Sequence, residues 1–348
     1  MAKKKTIIKV FEGFAGYGGA SFAMKRLNKQ LNNMRFEVVG YSEIDSSAIA
    51  LYNANHTQKD GTTPIKNWGD ISKIDEKDSS LSFDMFTGGF PCQPFSTVGN
   101  MMGEDDDKGR GSLFRDIIRI CEKVKPKYIL LENVVTLCRS KKFSSTYTQI
   151  LSELDRIGFH VEALTLNSKD YGTPQNRERL WLFGIRKDFM NKVPDEFDVV
   201  PPSVELNNFI EDYLDDNPDE SLYRTQQQID HIKEKYGLAQ DFFDVEERFC
   251  YDYYNQKIRR DRISMTITPP NHNVVRIVEP RVDGKDRVRK PSIDEHFRLM
   301  GFQIDDNRRE IVYPEGLTYN QLGARAGNGW EINVVTALLG HIFKSLKL

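Results

Sequence analysis

The chain has 348 residues, 39% hydrophobic and 29% charged, with a formal net charge of −2. This is the composition of a soluble globular chain with one large domain or two, and no run of about 18 apolar residues offers a membrane span. The basic start "MAKKKTIIKVFEGF" lacks the apolar core of a secretory leader. Cys92, Cys121, Cys138 and Cys250 are widely spaced with no CxxC pair, which fits a reduced cytoplasm better than a disulfide framework or a metal cluster.

Through the first 190 residues, strand-like and helix-like segments alternate. "TIIKVF" reads as a strand, "EGFAGYGG" as a loop and "ASFAMKRLNKQL" as a helix; "FEVVGYSE" then reads as a strand and "SSAIALYNANH" as a helix. "FDMFTGG", "YILLENV", "FHVEALTL" and "RLWLFGIR" read as further strands, with helices "SLFRDIIRICEKV" and "STYTQILSELDRI" among them. Strands with intervening helices imply a doubly wound, mostly parallel α/β sheet of Rossmann-like type over residues 1–187. A second, smaller domain follows over 188–318, beginning in the proline- and acid-rich "VPDEFDVVPPSVELNN". Residues 319–348 end in an amphipathic helix whose Ile332, Val335, Leu339, Ile342 and Leu346 make an apolar face, expected to return to the first domain.

Charge along the second domain is uneven. From Glu205 to Glu247 there are 13 acidic and 3 basic residues, and from Arg248 to Lys290 there are 11 basic and 5 acidic. The switch suggests one face that shuns polyanions and another that meets them, the alternative being two solvated surfaces.

Three features carry chemistry. Phe14, Gly16, Gly18 and Gly19 lie at a strand-to-helix junction, where glycine permits a sharp turn and close approach of a ligand, and Glu43 ends the next strand where a ribose-binding carboxylate belongs. The spacing departs from GxGxxG and no P-loop lysine follows. The junction is therefore either a structural turn or a nucleotide site, and a phosphate-free cofactor such as S-adenosylmethionine suits it better than NAD. Cys92, in "FTGGFPCQPFS", follows the carboxyl end of a strand, where open α/β sheets bind ligands. Cys121, Cys138 and Cys250 read as fillers. Glu132 ends the strand "YILLENV", and Arg177 and Arg179 precede "RLWLFGIR", so a thiol, a carboxyl group and an arginine pair have the chain positions to share one crevice.

In order, "FEGFAGYGG", "YSEID", "GDIS", "GGFPCQPFS", "RGSLFRDI", "LLENV", "DYGTPQNRERL", "SMTITPP", "RLMGF" and "AGNGWEINVV" resemble the DNA (cytosine-5)-methyltransferase family of the bacterial restriction–modification type. The resemblance covers nearly the whole chain and is weakest over 190–256, where the family carries its target-recognition region. It implies that Cys92 is a thiolate nucleophile that adds to C6 of a flipped cytosine. Glu132 would contact N3 and the exocyclic amine, Arg179 would bind O2, and Arg177 would support the site or a phosphate. It implies S-adenosylmethionine as cofactor, with Phe14 on the adenine, Glu43 on the ribose and Asp70 on the adenine amine. Ile44, Ile71, Pro91, Leu113 and Asn328 complete that pocket. Ile44 stands where relatives often have tryptophan, so apolar packing survives and stacking does not; Gly329 follows Asn328 where a small hydroxyl residue or alanine is usual.

Double-stranded DNA is the expected partner. Residues 96–112 would close over the flipped base, or are a plain surface loop, with Ser96 and Arg110 reaching DNA. In "KIRRDRISMTITPPNHN", Lys257, Arg259, Arg260, Arg262, Asn271 and Asn273 are candidate DNA contacts. Lys285, Arg287, Arg289 and Lys290 read as phosphate-facing or as a solvated cluster, and the acidic stretch as facing away from the duplex. A cytoplasmic monomer of bacterial or phage origin is expected, with a restriction endonuclease acting separately. Rival readings are an RNA cytosine methyltransferase, whose Cys-Phe-Thr element is not found here, and a non-catalytic DNA-binding regulator. A zinc-dependent deaminase is disfavoured by the lack of a paired-cysteine motif.

Overall fold

The computed structural model describes residues 5–58, 60–91, 113–270, 272, 274–305 and 307–347. These form two compact units, one of residues 1–166, 178–202 and 334–348, the other of residues 167–177 and 203–333. The boundaries differ from those expected at 187 and 319. Residues 167–177 leave the first unit between two of its strands, and the chain returns to it only at Val334.

In the first unit, β1 (Thr6–Gly13), α1 (Gly19–Gln30), β2 (Met34–Ser42), α2 (Ser46–Asn55), β3 (Met85–Gly89), α3 (Leu113–Val124) and β4 (Tyr128–Val134) follow the expected alternation. After α4 (Thr136–Arg139), α5 (Ser144–Arg156) and β5 (Phe159–Asn167), the two-residue β6 (Gln175–Asn176) lies in the second unit, and β7 (Glu178–Arg186) returns to the sheet. The six strands run in the order β2-β1-β3-β4-β7-β5. β1, β2, β3 and β4 pair in parallel, whereas β7 is antiparallel to β4. The link 168–177 is too short to carry the crossover that a parallel return to the neighbouring β5 requires.

Phe11, Phe86, Ile129, Leu131, Leu180 and Leu182 from the sheet pack with Phe114, Ile117 and Cys121 of α3 and Ile150 and Leu154 of α5. The last helix, α9 (Ile332–Ser345), sets Phe343 edge-on to Phe36 of β2 and Tyr128 of β4, with ring centroids 4.9 and 5.2 Å apart. It returns to the first unit as its apolar face requires.

The second unit holds α6 (Gln226–Tyr236), a four-stranded sheet of order β12-β11-β8-β9, and α7 (Ile293–Arg298) and α8 (Tyr319–Asn328). The strands are β8 (Phe249–Asp252), β9 (Lys257–Arg259), β11 (Val275–Val282) and β12 (Lys285–Arg289); β10 (Ser264–Met265) pairs with β6. Ile229 and Ile232 of α6 bury against Phe249, Tyr251, Val278 and Val288, so the helix covers one face of that sheet.

Candidate active site

Strand register brings the site residues of the first unit to one edge of its sheet. Gly13 is level with Ser42 and Gly88, Gly89 with Glu132, and Val134 with Arg179. The carboxyl ends of β1 to β4 and the start of antiparallel β7 therefore share that edge, the ligand-binding edge of open α/β sheets.

The turn after β1 is held open. Phe14, Gly16 and Gly18 all have positive φ, at 54°, 57° and 81°. For phenylalanine this backbone is uncommon and persists only where its surroundings enforce it. Glu43 does part of the enforcing, since its Oε2 accepts from Gly16 N at 2.9 Å and its Oε1 from Ile44 N and Asp45 N. Asn67 clamps Glu43 in turn, accepting from Glu43 N and donating to Glu43 O. A Cβ at Gly16 would meet nothing within 4 Å, so the loop faces open space there, and Ile44 beside it is 72% exposed. A cradle with a fixed carboxylate, an uncovered apolar side chain and bare backbone suits a nucleoside with a hydroxylated sugar. Asp70 caps the turn that follows it by accepting from Ser72 N and Oγ, which lowers its pKa; Ile71 is buried beside it. Pro91 is exposed, and Leu113 at the start of α3 packs on the core together with Phe14.

Across the edge, Glu132 Oε1 and Arg179 Nε lie 3.1 Å apart, with side chains 13% and 17% exposed. Burial lowers the arginine's pKa and Glu132 restores part of the loss. The adjoining Asn133 is buried and donates through Nδ2 to Phe90 O at 3.0 Å, while its Oδ1 accepts from Val134 N. Phe90 stands two residues before Cys92, so this amide ties the chain just ahead of the cysteine to β4. Cys92, Ser96 and Arg110, like Asn271 and Asn273, lie outside the described residues. Burial raises the thiol pKa of Cys121 and pushes that of Cys250 up to about 12, which leaves both poor nucleophiles.

Residues 8–344 match the sequence profile of the C-5 cytosine-specific DNA methylase family. The chain belongs to that family. It is 28% identical to the type II methyltransferase M2.ScrFI of Lactococcus lactis subsp. cremoris, over 97% of this chain and 100% of that one. With the type II methyltransferase M.Bsp6I of Bacillus sp. (strain RFL6) it shares 29% identity, over 96% and 98%. Among solved structures, the Dnmt2 methyltransferase of S. pombe has the same fold, with a TM-score of 0.68, 20% identity and coverage of 98% and 100%.

Two other expected site residues, Arg177 and Asn328, belong to the second unit. Arg177, in the second unit, is 3% exposed and donates to the carbonyls of Ile267 (2.9 Å), Gly327 (3.2 Å) and Gly329 (2.8 Å). It joins the end of α8 to the segment after β10. Asn328 ends α8 and is exposed.

The charge segregation expected from the second domain is not realised, because the acidic and basic stretches pair with each other. Arg262 meets Glu211, Arg281 meets Asp244 at 2.7 Å, Arg287 meets Glu220 at 3.2 Å and Arg248 lies 3.7 Å from Asp216. Arg259 is held by Asp261. Arg289, expected to face phosphate, is wholly buried between Glu279 and Glu295. Of the four cations in the run 257–262, Lys257 and Arg260 remain exposed.

Sequence reasoning also missed a buried polar cluster behind the glycine loop. Glu12 accepts from Ser21 N and Oγ and from Tyr52 Oη, and burial raises its pKa. His56 Nε2 lies 2.9 Å from Tyr17 O of the loop, and burial, helped by Lys25, pushes its pKa down to about 3. A Cβ on Gly18 would sit 2.4 Å from His56 Nε2, so that glycine is required for packing. Nothing in the local sequence marks these residues; only the meeting of β1, α1 and α2 does.

Proposed function

We propose that the chain methylates C5 of a cytosine within a specific short sequence of duplex DNA, through a transient bond between Cys92 and C6 of a flipped-out base. The observation that carries this reading is the Glu132–Arg179 pair on the same sheet edge as the Gly16–Glu43 cradle. S-adenosylmethionine fits that cradle and would supply an electrophilic sulfonium methyl. Glu43 would hold the ribose hydroxyls, Phe14 and Ile44 would pack on the adenine, and Asp70 would accept from its amine.

The chain's own chemistry follows from what cytosine lacks. C5 is too weak a nucleophile until the Cys92 thiolate adds at C6 and makes the ring enamine-like. Glu132 would meet N3 and the exocyclic amine and Arg179 would meet O2, so both are aimed at the charge that develops during attack. After the methyl arrives, loss of the C5 proton lets the ring expel the thiolate and regain its double bond. The relatives' description as type II methyltransferases supports a place in a restriction–modification pair.

The decisive test supplies duplex oligonucleotides carrying 5-fluorocytosine at the modified site, which bisulfite sequencing of DNA from expressing cells first locates. With methyl donor present, fluorine at C5 blocks the final proton loss, and a covalent adduct that withstands denaturation is expected. Cys92→Ala should form none. Labelled methyl entering transfer RNA but not duplex DNA would favour the RNA rival, and absence of both transfer and adduct would sink the proposal.

A further inference from the structure

With most arginines of the second unit neutralised by carboxylates, the remaining cations become informative. Arg224, inside the acidic stretch, is one of them. The backbone of residues 222–224 runs beside β12, with Arg224 N donating to Val288 O at 2.9 Å and Lys290 N to Leu222 O at 3.0 Å. β11 lies on the other side of β12, with Ile277 level with Arg289, which puts Arg276 one step on, level with Lys290. Because side chains alternate between faces, Arg224, Arg276 and Lys290 emerge on the same face as Val278 and Val288, at the end of the sheet.

There they meet aromatic rings. The guanidinium carbons of Arg224 and Arg276 lie 5.1 and 5.4 Å from the centroid of Tyr253, and Lys290 Nζ lies 5.9 Å from that of Tyr319. Arg224 and Lys290 make no ion pair with a carboxylate among the described residues, in contrast to Arg248, Arg262, Arg281, Arg287 and Arg289 nearby. Arg276, half-buried, has its pKa lowered by burial and then by Arg224, another cation. Like charges held together beside aromatic faces cost free energy, which an arriving anion would relieve. Guanidinium groups fixed on rings also lose little freedom in binding one.

We infer that Arg224, Arg276 and Lys290, arrayed around Tyr253 and Tyr319, form a binding site for backbone phosphates of duplex DNA. The site rests on the proposed function and deepens it. It transfers much of the expected polyanion contact from the run 257–262, where two of four cations are neutralised, to an end of the sheet that includes a residue of the acidic stretch. Phosphate contacts of this kind fix register and add affinity without reading sequence, so the site is testable before the target sequence is known.

The experiment measures binding of the full chain to a fluorescein-labelled duplex of random sequence, by anisotropy, over a range of salt. In Arg224→Gln/Lys290→Gln, both substitutions lie at the sheet's margin. This variant should bind about tenfold more weakly at 0.1 M salt, with the slope of log K against log salt reduced by nearly 2, about 0.9 for each phosphate released. Arg276→Lys, which keeps the charge but loses the planar stacking group, should fall between it and wild type. The control Lys29→Gln/Lys123→Gln removes equal charge from the first unit and should leave the slope unchanged. An unaltered slope in the double variant, or an equal drop in the control, overturns the inference. If the wild-type chain itself binds no duplex, the proposed function fails with it; if wild type binds and methylates while the double variant matches it, this inference alone fails.

Discussion

Asn133→Ala tests whether the β4 amide, through Phe90, positions Cys92. Asn133 is 4% exposed and makes two bonds, Nδ2 to Phe90 O at 3.0 Å and Oδ1 from Val134 N at 2.8 Å. Phe90 is 6% exposed, so its carbonyl would be left largely without water, whereas Val134, at 39%, has solvent close by. A buried acceptor left unsatisfied costs about 1–3 kcal/mol and a solvated bond about 1 kcal/mol or less, so the alanine variant should lose about 2–3 kcal/mol of stability. The larger effect is expected in catalysis. Phe90 is two residues from the proposed nucleophile, and a misplacement of about 1 Å costs on the order of 100-fold in rate. Single-turnover transfer of labelled methyl should therefore slow by roughly 10- to 100-fold, with KM for S-adenosylmethionine little changed. Asn133→Asp separates the two bonds. It keeps an acceptor for Val134 N but sets a carboxylate oxygen against Phe90 O, so its rate should fall at least as far as that of alanine. A variant that loses the expected stability but keeps wild-type kcat would show that Asn133 is structural only, and the positioning argument would be wrong.

Two glycines of one loop should respond oppositely to alanine. Gly16→Ala meets open space, so only its left-handed backbone is strained, by about 1–2 kcal/mol; melting should shift little while KM for the cofactor rises at least about tenfold. Gly18→Ala would drive a methyl into His56 and Tyr52 and should unfold the chain or lower its melting temperature sharply; equal effects from both would refute the assigned roles. Acid should destabilise the protein through buried histidines. His56 and His296 are pushed from 6.5 down to about 3 and about 4, so the unfolded chain takes up more protons as pH falls below 6.5. Stability is full above 6.5, and each histidine removes about 2 kcal/mol by pH 5. Glu12, with its pKa raised by burial, acts in the opposite sense and cannot cause that loss. Urea unfolding of His56→Gln at pH 7 and 5 should show a smaller drop than wild type, and an identical drop would exclude His56.

What the sequence made legible and what it hid follow one rule of range. Strands such as "YILLENV" and helices such as "SSTYTQILSELDR" declare themselves because their periodicity is local, and the glycine turn and Glu43 are marked by their places at strand ends. The unit boundaries were harder. Residues 167–177 leave the first unit and return within a link that looks like a loop, and only the pairing of β6 with β10 shows where they belong. Asn133 sits in the strand-end run "LLENV", yet its bond depends on a carbonyl 43 residues away. The charge pattern was the most misleading signal. A net count along 205–290 separates acid from base, but residues 222–224 lie beside β12, and Arg287 and Arg289 find Glu220, Glu279 and Glu295 across those pairings. Charge read along a chain predicts an outward face only when the opposite charge has no route to it in space. In this unit the route exists for most arginines, so a polyanion contact is better sought at cations without a carboxylate, and Arg224, which a count along the sequence would assign to the acidic half, is among them.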